Sequence, residues 1–472
     1  MSTFSGLTTS YTALTAARTA IEVAGQNIAN VTTPGYTRQR AELTANGALA
    51  SVGLFASPRP GIGQGVTVDG IARLADELLN ARLRGASATA GFHATRAIAL
   101  GTLEDGLHEP GANGIAAQLQ EFWASWQDVA NSAGDGAASA VVIEEATTLA
   151  ARIAQGARDV IGQWKAQRAD AAAMVADVNT AAERVAELND TIRRVGLTGG
   201  NTNELVDERD RLAAELAATA GGVVDDRGDG TVDVLVGGNP VVSGTTWNRV
   251  ALAGGTTPDG TPVTLEWERR PGVPVPLEGG ALAGAISMLA PANTTATGGA
   301  FAEALASYDG LATALATQVN AVHRTGLTTA GATGLDFFSL DPAQRPALGL
   351  GVIPTGADGI ATGAPGAGAL DGSIADAIAQ LRLEPDAPDA HWAAFVARIG
   401  VEAGAEHDRA TVSELAMHSA AARQQSAASV DLDEENLNLV LAQTAYQGAA
   451  RVFTAIDEML DVLINRTGIV GR

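Results

Sequence analysis

Residues 24–40 read AGQNIANVTTPGYTRQR, and the course of the chain's first part follows from them. A helix runs to about Asn30, and as it ends Asn27 and Asn30 can bond the backbone groups it frees. Thr33 precedes a proline, which pushes it to an extended conformation. Pro34-Gly35 suits the centre of a type II turn, where Gly35 supplies the positive φ. Tyr36, Arg38 and Arg40 then leave in an extended strand with alternating faces. The stretch is a helix, one specific turn and an exit strand.

Upstream of that turn, Phe4, Leu7, Tyr11, Leu14, Arg18, Ile21, Gly25 and Ile28 follow alternating steps of three and four, the a/d seam of a heptad. At the other end Leu432, Leu439, Tyr446, Phe453 and Leu460 recur every seven residues, with Ala442, Ala449, Ile456 and Leu463 at the companion position. A helix at each extreme end has nothing to bury its stripe against except the other end or another subunit. Leu7, Leu14, Ile21 and Ile28, with Leu439, Tyr446, Phe453 and Leu460, are therefore the candidate subunit-assembly interface. A third heptad runs through Trp164, Ala171, Val178, Val185 and Ile192, with Met174, Ala181, Leu188 and Val195 beside it. For this middle stripe the expectation is ordinary packing of helices within one chain.

Helices are also expected around 73–105, 115–160 and 202–220, the last supported by the Asp207-to-Arg211 spacing of four. Between about 223 and 290 the period changes from seven to two: Val232, Val234 and Val236 alternate with Asp233 and Leu235, and Val263, Leu265 and Trp267 with Thr264 and Glu266. Residues 326–372 are rich in Gly, Ala and Pro and read as loops with a few short strands. Helix resumes at about 373–382 and 391–427. The fold class is mainly α, with long terminal helices forming coiled coil, a middle helical bundle built from both halves of the chain, and an inserted small antiparallel β domain. In residue numbers, 1–45 and 430–472 form the terminal coiled-coil layer. Segments 46–222 and 291–429 form the helical middle, and 223–290 the outer β domain.

The length of 472 residues suggests roughly three domains. A formal charge of −23 argues against a nucleic-acid or anionic-membrane partner, which would repel it. That charge is uneven. Residues 1–45 carry three Arg and two Glu and residues 430–472 seven acids and three Arg, so nearly all of the excess lies between them. Cysteine is absent, which excludes disulfides, thiolate metal sites and a Cys nucleophile. The first thirty residues lack the basic start and continuous apolar stretch of a cleaved secretory signal. Without a run of about eighteen apolar residues, no membrane insertion is expected. These features alone point to the cytosol, while export by a route that reads no cleaved signal stays open.

No arrangement for catalysis, cofactor binding or metal ligation stands out. His93, His108, His323, His391, His407 and His418 form no close cluster. In Asp225–Gly230 an Arg occupies a ligand position of the calcium loop it superficially imitates, and a turn between strands accounts for it better. Gly61-Ile62-Gly63-Gln64-Gly65 has no strong strand before it and no basic residue after it, and reads as a turn into a short strand at Val66, Val68 and Ile71. Asp207, Glu208 and Asp210 with Arg209 and Arg211 are expected to form a solvated, self-paired helix face.

The stretch 24–40 resembles the N-terminal signature of bacterial flagellar axial proteins, and its form ANVTTPGYTRQ resembles the hook-associated protein 1 family in particular. In rod and hook proteins the same place more often reads like Gly-Phe-Lys. The block SVDLDEENLNLVLAQTAYQGAARVFTAIDEMLDVLIN (429–465) is similar to the family's closing helix, with Ser429 and Asp431 where Gly and Asn are usual. Similar blocks occur in order at 188–190 (LND), 203–216 (NELVDERDRLAAEL), 229–238 (DGTVDVLVGG) and 334–338 (GLDFF). The chain is short for the family, which points to a reduced or missing outer β domain.

The resemblance implies terminal helices that pair as an inner layer around an axial channel, and a structural subunit at the junction of hook and filament. It implies self-association in a ring-like zone, with hook protein below and the second junction protein or filament side above. It also implies unfolded type III export to an extracellular place on the flagellum, an export chaperone at the C-terminal helix, and no cofactor. The signature turn then comprises Asn27, Asn30, Pro34, Gly35 and Tyr36. The competing readings are another axial component (hook or rod), a secreted enzyme on a coiled-coil stalk, and a cytosolic coiled-coil scaffold.

Overall fold

The computed structural model describes residues 3–33, 35–47, 63–368 and 370–466. The chain opens with helix α1 (Thr3–Ala29), followed by the antiparallel hairpin of β1 (Gln39–Ala45) and β2 (Val66–Arg73). The body begins with α2 (Glu77–Leu107), capped by the Asp76 carboxylate, which accepts from the Leu78 and Leu79 amides. It continues with α3 (Ile115–Asn131), α4 (Gly136–Leu197) and α5 (Asn203–Ala220). Helix does not run unbroken over 115–160. It stops at Asn131, turns through Gly134 at φ +89°, and restarts under the Asp135 cap as a helix of 62 residues that also contains the middle heptad.

That long helix is the spine. Trp164, Ala171, Val178, Val185 and Ile192 are all buried, and the same periodic face continues upward through Val142, Leu149, Ile153 and Val160. The expected packing of helices within one chain accounts for this stripe. Antiparallel sheets lean on its lower half. One is β3 (Val223–Asp226), β4 (Val232–Val236), β5 (Asn239–Ser243) and β6 (Thr246–Trp247), in that order. The other is β7 (Val250–Ala253), β8 (Thr264–Trp267) and β9 (Arg270–Pro274). Val232, Val234 and Val236 point inward, as their alternation requires. Two buried asparagines of α4 bind this β region by imitating a strand. The Asn179 amide donates to the Val250 carbonyl and accepts from its N–H. Asn189 does the same with Val232 and also reaches the Gly244 carbonyl.

The strands end at Pro274, short of the expected limit of 290. Residues Gly280–Met288 are helix α6 instead. The glycines at its start and middle resemble strand punctuation, but they serve close helix packing. A Cβ on Gly284 would stand 2.6 Å from the Phe92 carbonyl of α2. Next come α7 (Ala300–His323) and, within 326–372, the short pairs β10 (Leu327–Thr328) with β13 (Ala361–Gly363) and β11 (Phe338–Leu340) with β12 (Leu350–Val352). The helical turn α8 (Pro346–Gly349) lies among them, and α9 (Ser373–Gln380) follows. Then α10 (Pro388–Ala428) returns antiparallel along α2, and α11 (Leu432–Asp461) closes the chain against α1.

The architecture is mainly α, and its core is close-packed around few aromatics: Phe122, Trp126 and Phe337 meet edge to face under α3 and α7. Elsewhere helices approach through glycine. On Gly91 of α2 a Cβ would meet the Ala218 carbonyl at 2.5 Å, a backbone atom that cannot yield. Gly91→Ala is therefore expected to destabilise the body by about 1–3 kcal/mol through overpacking. The measurement is a lower chemical-denaturation midpoint at unchanged slope.

Candidate assembly site

The terminal helices lie antiparallel. Near one end Gly6 rests against Ile456, where an added Cβ would come within 2.9 Å of the Ile456 Cδ1. At the other end Val23 and Ala24 share a groove with Glu435 and Asn438. Steps of seven from the Gly6–Ile456 contact bring Ala13 level with Ala449 and Ala20 level with Ala442, so alanine lies on both sides of the groove between the helices. The buried residues of α1 are mainly small or polar: Ser10, Ala16, Ala17, Ala24 and Asn27, with Val23 beside them. Leu7, Leu14, Ile21 and Ile28 are half-buried beside this strip, as are Leu439, Phe453 and Leu460; Tyr446 is 41% exposed, and Ile456 is buried. The large side chains expected at the seam thus lie on its flanks, and alanine, which hydrophobic periodicity weighs lightly, fills its centre.

Below this pair sits the signature turn. The Tyr36 N–H donates to the Thr33 carbonyl at 3.2 Å and Gly35 has φ +80°, as a type II turn requires; Pro34 lies outside the described residues. Asn30 bonds the Gln26 carbonyl at the helix end. Asn27 behaves differently from its expected capping role. It is fully buried, pairs with both the N–H and the carbonyl of Gln39, and accepts the Tyr36 hydroxyl at 2.9 Å. Burial, and then the carboxylates of Asp207, Glu204 and Glu435, push the Tyr36 phenol up to about 12, so it remains a hydrogen-bond donor under all ordinary conditions.

The exit segment 37–40 is where the terminal pair meets the body. The Arg38 N–H donates to the Ala428 carbonyl at the end of α10, and its guanidinium bridges Glu434 and Glu435 in the first turn of α11. Asp431 caps that turn, accepting from the Asp433 and Glu434 amides, so the departure from the usual Asn keeps the capping function. On the other side the Thr37 N–H donates to Asp207, which Arg73 of β2 also engages; Arg73 reaches Asp210 at 3.0 Å as well. Asn203 donates to the Gln39 side chain and the Ile71 carbonyl.

Asn203, Asp207 and Asp210 occupy one face of α5 and hold the turn and hairpin to the body. The expectation of a solvated, self-paired face is corrected in its solvation for Asp207 and Arg209, both buried; Arg209 keeps a pairing with Asp210 at 3.5 Å and donates to the Gly230 carbonyl at the β3–β4 turn. Only Glu208 and Arg211 keep solvent-side partners, in Arg184 and Glu215. The overlooked signal was the spacing 203, 207, 210, which puts three polar groups on one side of a helix.

Among the described residues no group of three or more potential ligands could hold a metal. No helix described is long and apolar enough to cross a membrane.

Comparison with known proteins agrees with this geometry. Residues 7–37 match the flagella basal body rod protein family and residues 425–466 the flagellar basal body rod FlgEFG protein C-terminal family, so both ends are similar to those of flagellar axial proteins. Residues 100–338 match the helical domain of flagellar hook-associated protein FlgK. The chain is 30% identical over 516 aligned residues to flagellar hook-associated protein 1 of Bacillus subtilis, with both chains covered in full. It is 30% identical to that of Salmonella typhimurium over 69% of this chain and 58% of that one. The fold is that of the flagellar hook junction protein FlgK from Burkholderia pseudomallei, with TM-score 0.64 at 16% identity over 73% of this chain and 99% of that one. The chain belongs to the flagellar hook-associated protein 1 family; it is a structural protein of the flagellum and not an enzyme.

Asp207→Ala removes the buried acceptor of the Thr37 N–H and one of the two carboxylates on Arg73, which keeps Asp210, a loss of about 1–3 kcal/mol for an unsatisfied buried group. Faster hydrogen exchange of the 37–41 and 67–73 amides is expected, with α4 amides unchanged.

Proposed function

We propose that this chain forms the junction between hook and filament, exported unfolded through the flagellar type III apparatus and assembled by coupled folding of its ends. The observation that carries the reading is the apolar exposure of both terminal helices. Phe4 and Tyr11 of α1 are exposed, as are Leu437, Val440, Val452 and Met459 of α11. Exposed apolar side chains repeated along both helices mark an interaction site. Two helices that cover only part of each other's seam gain little from ordering alone, and neighbouring copies supply the missing burial.

On this reading 1–45 and 430–472 are the inner assembly layer, 46–222 with 291–429 the helical middle layer, and 223–290 the outermost part. Leu7, Leu14, Ile21 and Ile28, with Leu439, Tyr446, Phe453 and Leu460, form the subunit-assembly interface along the flanks of the alanine seam, and the Asn27–Tyr36 turn sets its direction from the body. Copies associate in a ring-like zone with hook protein below and the second junction protein or filament side above. Before export a chaperone covers the apolar face of the C-terminal helix, and the assembled protein is extracellular.

Limited proteolysis of purified monomer should trim both ends and spare the body; termini that survive intact would contradict folding coupled to assembly. Phe453→Asp should abolish incorporation into flagella while leaving the body's thermal transition in place. Restored filament growth by that variant in a strain lacking the native protein would overturn the interface.

A further inference from the structure

Phe4 and Tyr11 stand one heptad apart on α1 and are 67% and 63% exposed. Nothing charged lies on that helix before Arg18. Successive helical residues advance about 100°, so nine residues make two and a half turns. Ala13 and Ala20 therefore lie on the face of α1 opposite Phe4 and Tyr11. They are half-buried, and they line a groove of about 510 Å³ whose other walls include Leu441 and Ala445 of α11 and Leu43 and Val66 of the β1–β2 hairpin. Each copy thus carries two protruding aromatic rings and, on its far side, a hollow floored by small residues with the same seven-residue spacing.

We infer that Phe4 and Tyr11 of one copy seat in this groove of the next, Phe4 over Ala13 and Tyr11 over Ala20. This rests on the terminal pair being the assembling part, and it names the contact. Burying two aromatics removes about 150–250 Å² each from water. Residues 1–45 carry three Arg against two Glu, so charge repulsion does not oppose the approach. Because knob and hollow are on opposite faces, the contact is heterologous. It passes from copy to copy into a ring or helix and cannot close as a two-fold dimer.

The chain has no cysteine, so introduced pairs report on this contact alone. Full-length protein carrying Tyr11→Cys and Ala20→Cys is assembled on flagella in cells without the native protein and then oxidised. A ladder of cross-linked multimers is expected from the double variant, and monomer only from each single one. Dimers from Tyr11→Cys alone, or no cross-link in flagella that contain the double variant, overturn the inference while leaving the junction reading intact. Should the double variant fail to incorporate, Ala20→Phe decides. Filling the groove should lower incorporation roughly tenfold or more with the monomer's helical content unchanged; incorporation at the native level overturns the contact.

Discussion

The Asp207 carboxylate is the point on which the arrangement of this molecule turns. It receives the Thr37 N–H from the exit segment and the Arg73 guanidinium from the returning hairpin strand, and both contacts are nearly dry. Buried ion pairs of this kind add little net stability, because desolvation offsets most of their attraction. What they contribute is uniqueness. A hydrophobic contact would let the exit segment slide along α5, whereas a carboxylate with two directional donors accepts one position. The direction in which α1 leaves the body follows from that position, and α11 is tied to the same segment through Arg38.

The same device recurs deeper in the fold. Asn27 pairs with Gln39, Asn179 with Val250 and Asn189 with Val232, each offering a donor and an acceptor as a strand would. A chain with only 4% aromatic residues has few large side chains to lock one element against another. Its helices pack through alanine and glycine, which bring backbones close but discriminate poorly between neighbouring registers. Buried amides supply the missing discrimination, since a slip of one residue would strand a polar group without its partner. Asn189 also receives Arg209 from α5, so the β region, the spine and the turn are joined through one cluster.

Much of this was legible in the residues. The middle heptad marked the second half of the spine, from Trp164 to Val195, because its period is sustained there; that the same helix begins at Gly136 was not legible. The turn at Gly35 was readable because proline and glycine restrict the backbone locally. Long-range polar pairs were not. The spacing 203, 207, 210 groups three polar side chains on one side of α5, but that this side faces inward is decided by the partners Thr37 and Arg73, and the burial of Arg209 by Gly230, all of them outside the string. The terminal seam was read through its large residues for a similar reason. Leucine announces burial, whereas Ala16, Ala17 and Ala24 carry little signal until the rest of the fold lies against them. Helix α6 was missed because glycine signals both punctuation and close approach, and the difference lies in what stands opposite.

Charge completes the picture. The excess of 53 acidic over 30 basic residues resides almost wholly in the body, while the ends are near neutral and apolar on their outer faces. Repulsion between bodies fades over about 8 Å at physiological ionic strength. Apolar association of the ends acts only at contact, and it grows with the area removed from water. Two bodies in random encounter therefore meet like charge first and separate. Two ends meeting in register bury their apolar faces while Asp207 and its partners hold each body at a fixed angle from the seam. The acidic surface thus resists every association except the one in which the terminal helices lead, and the buried polar knot makes that exception a single geometry.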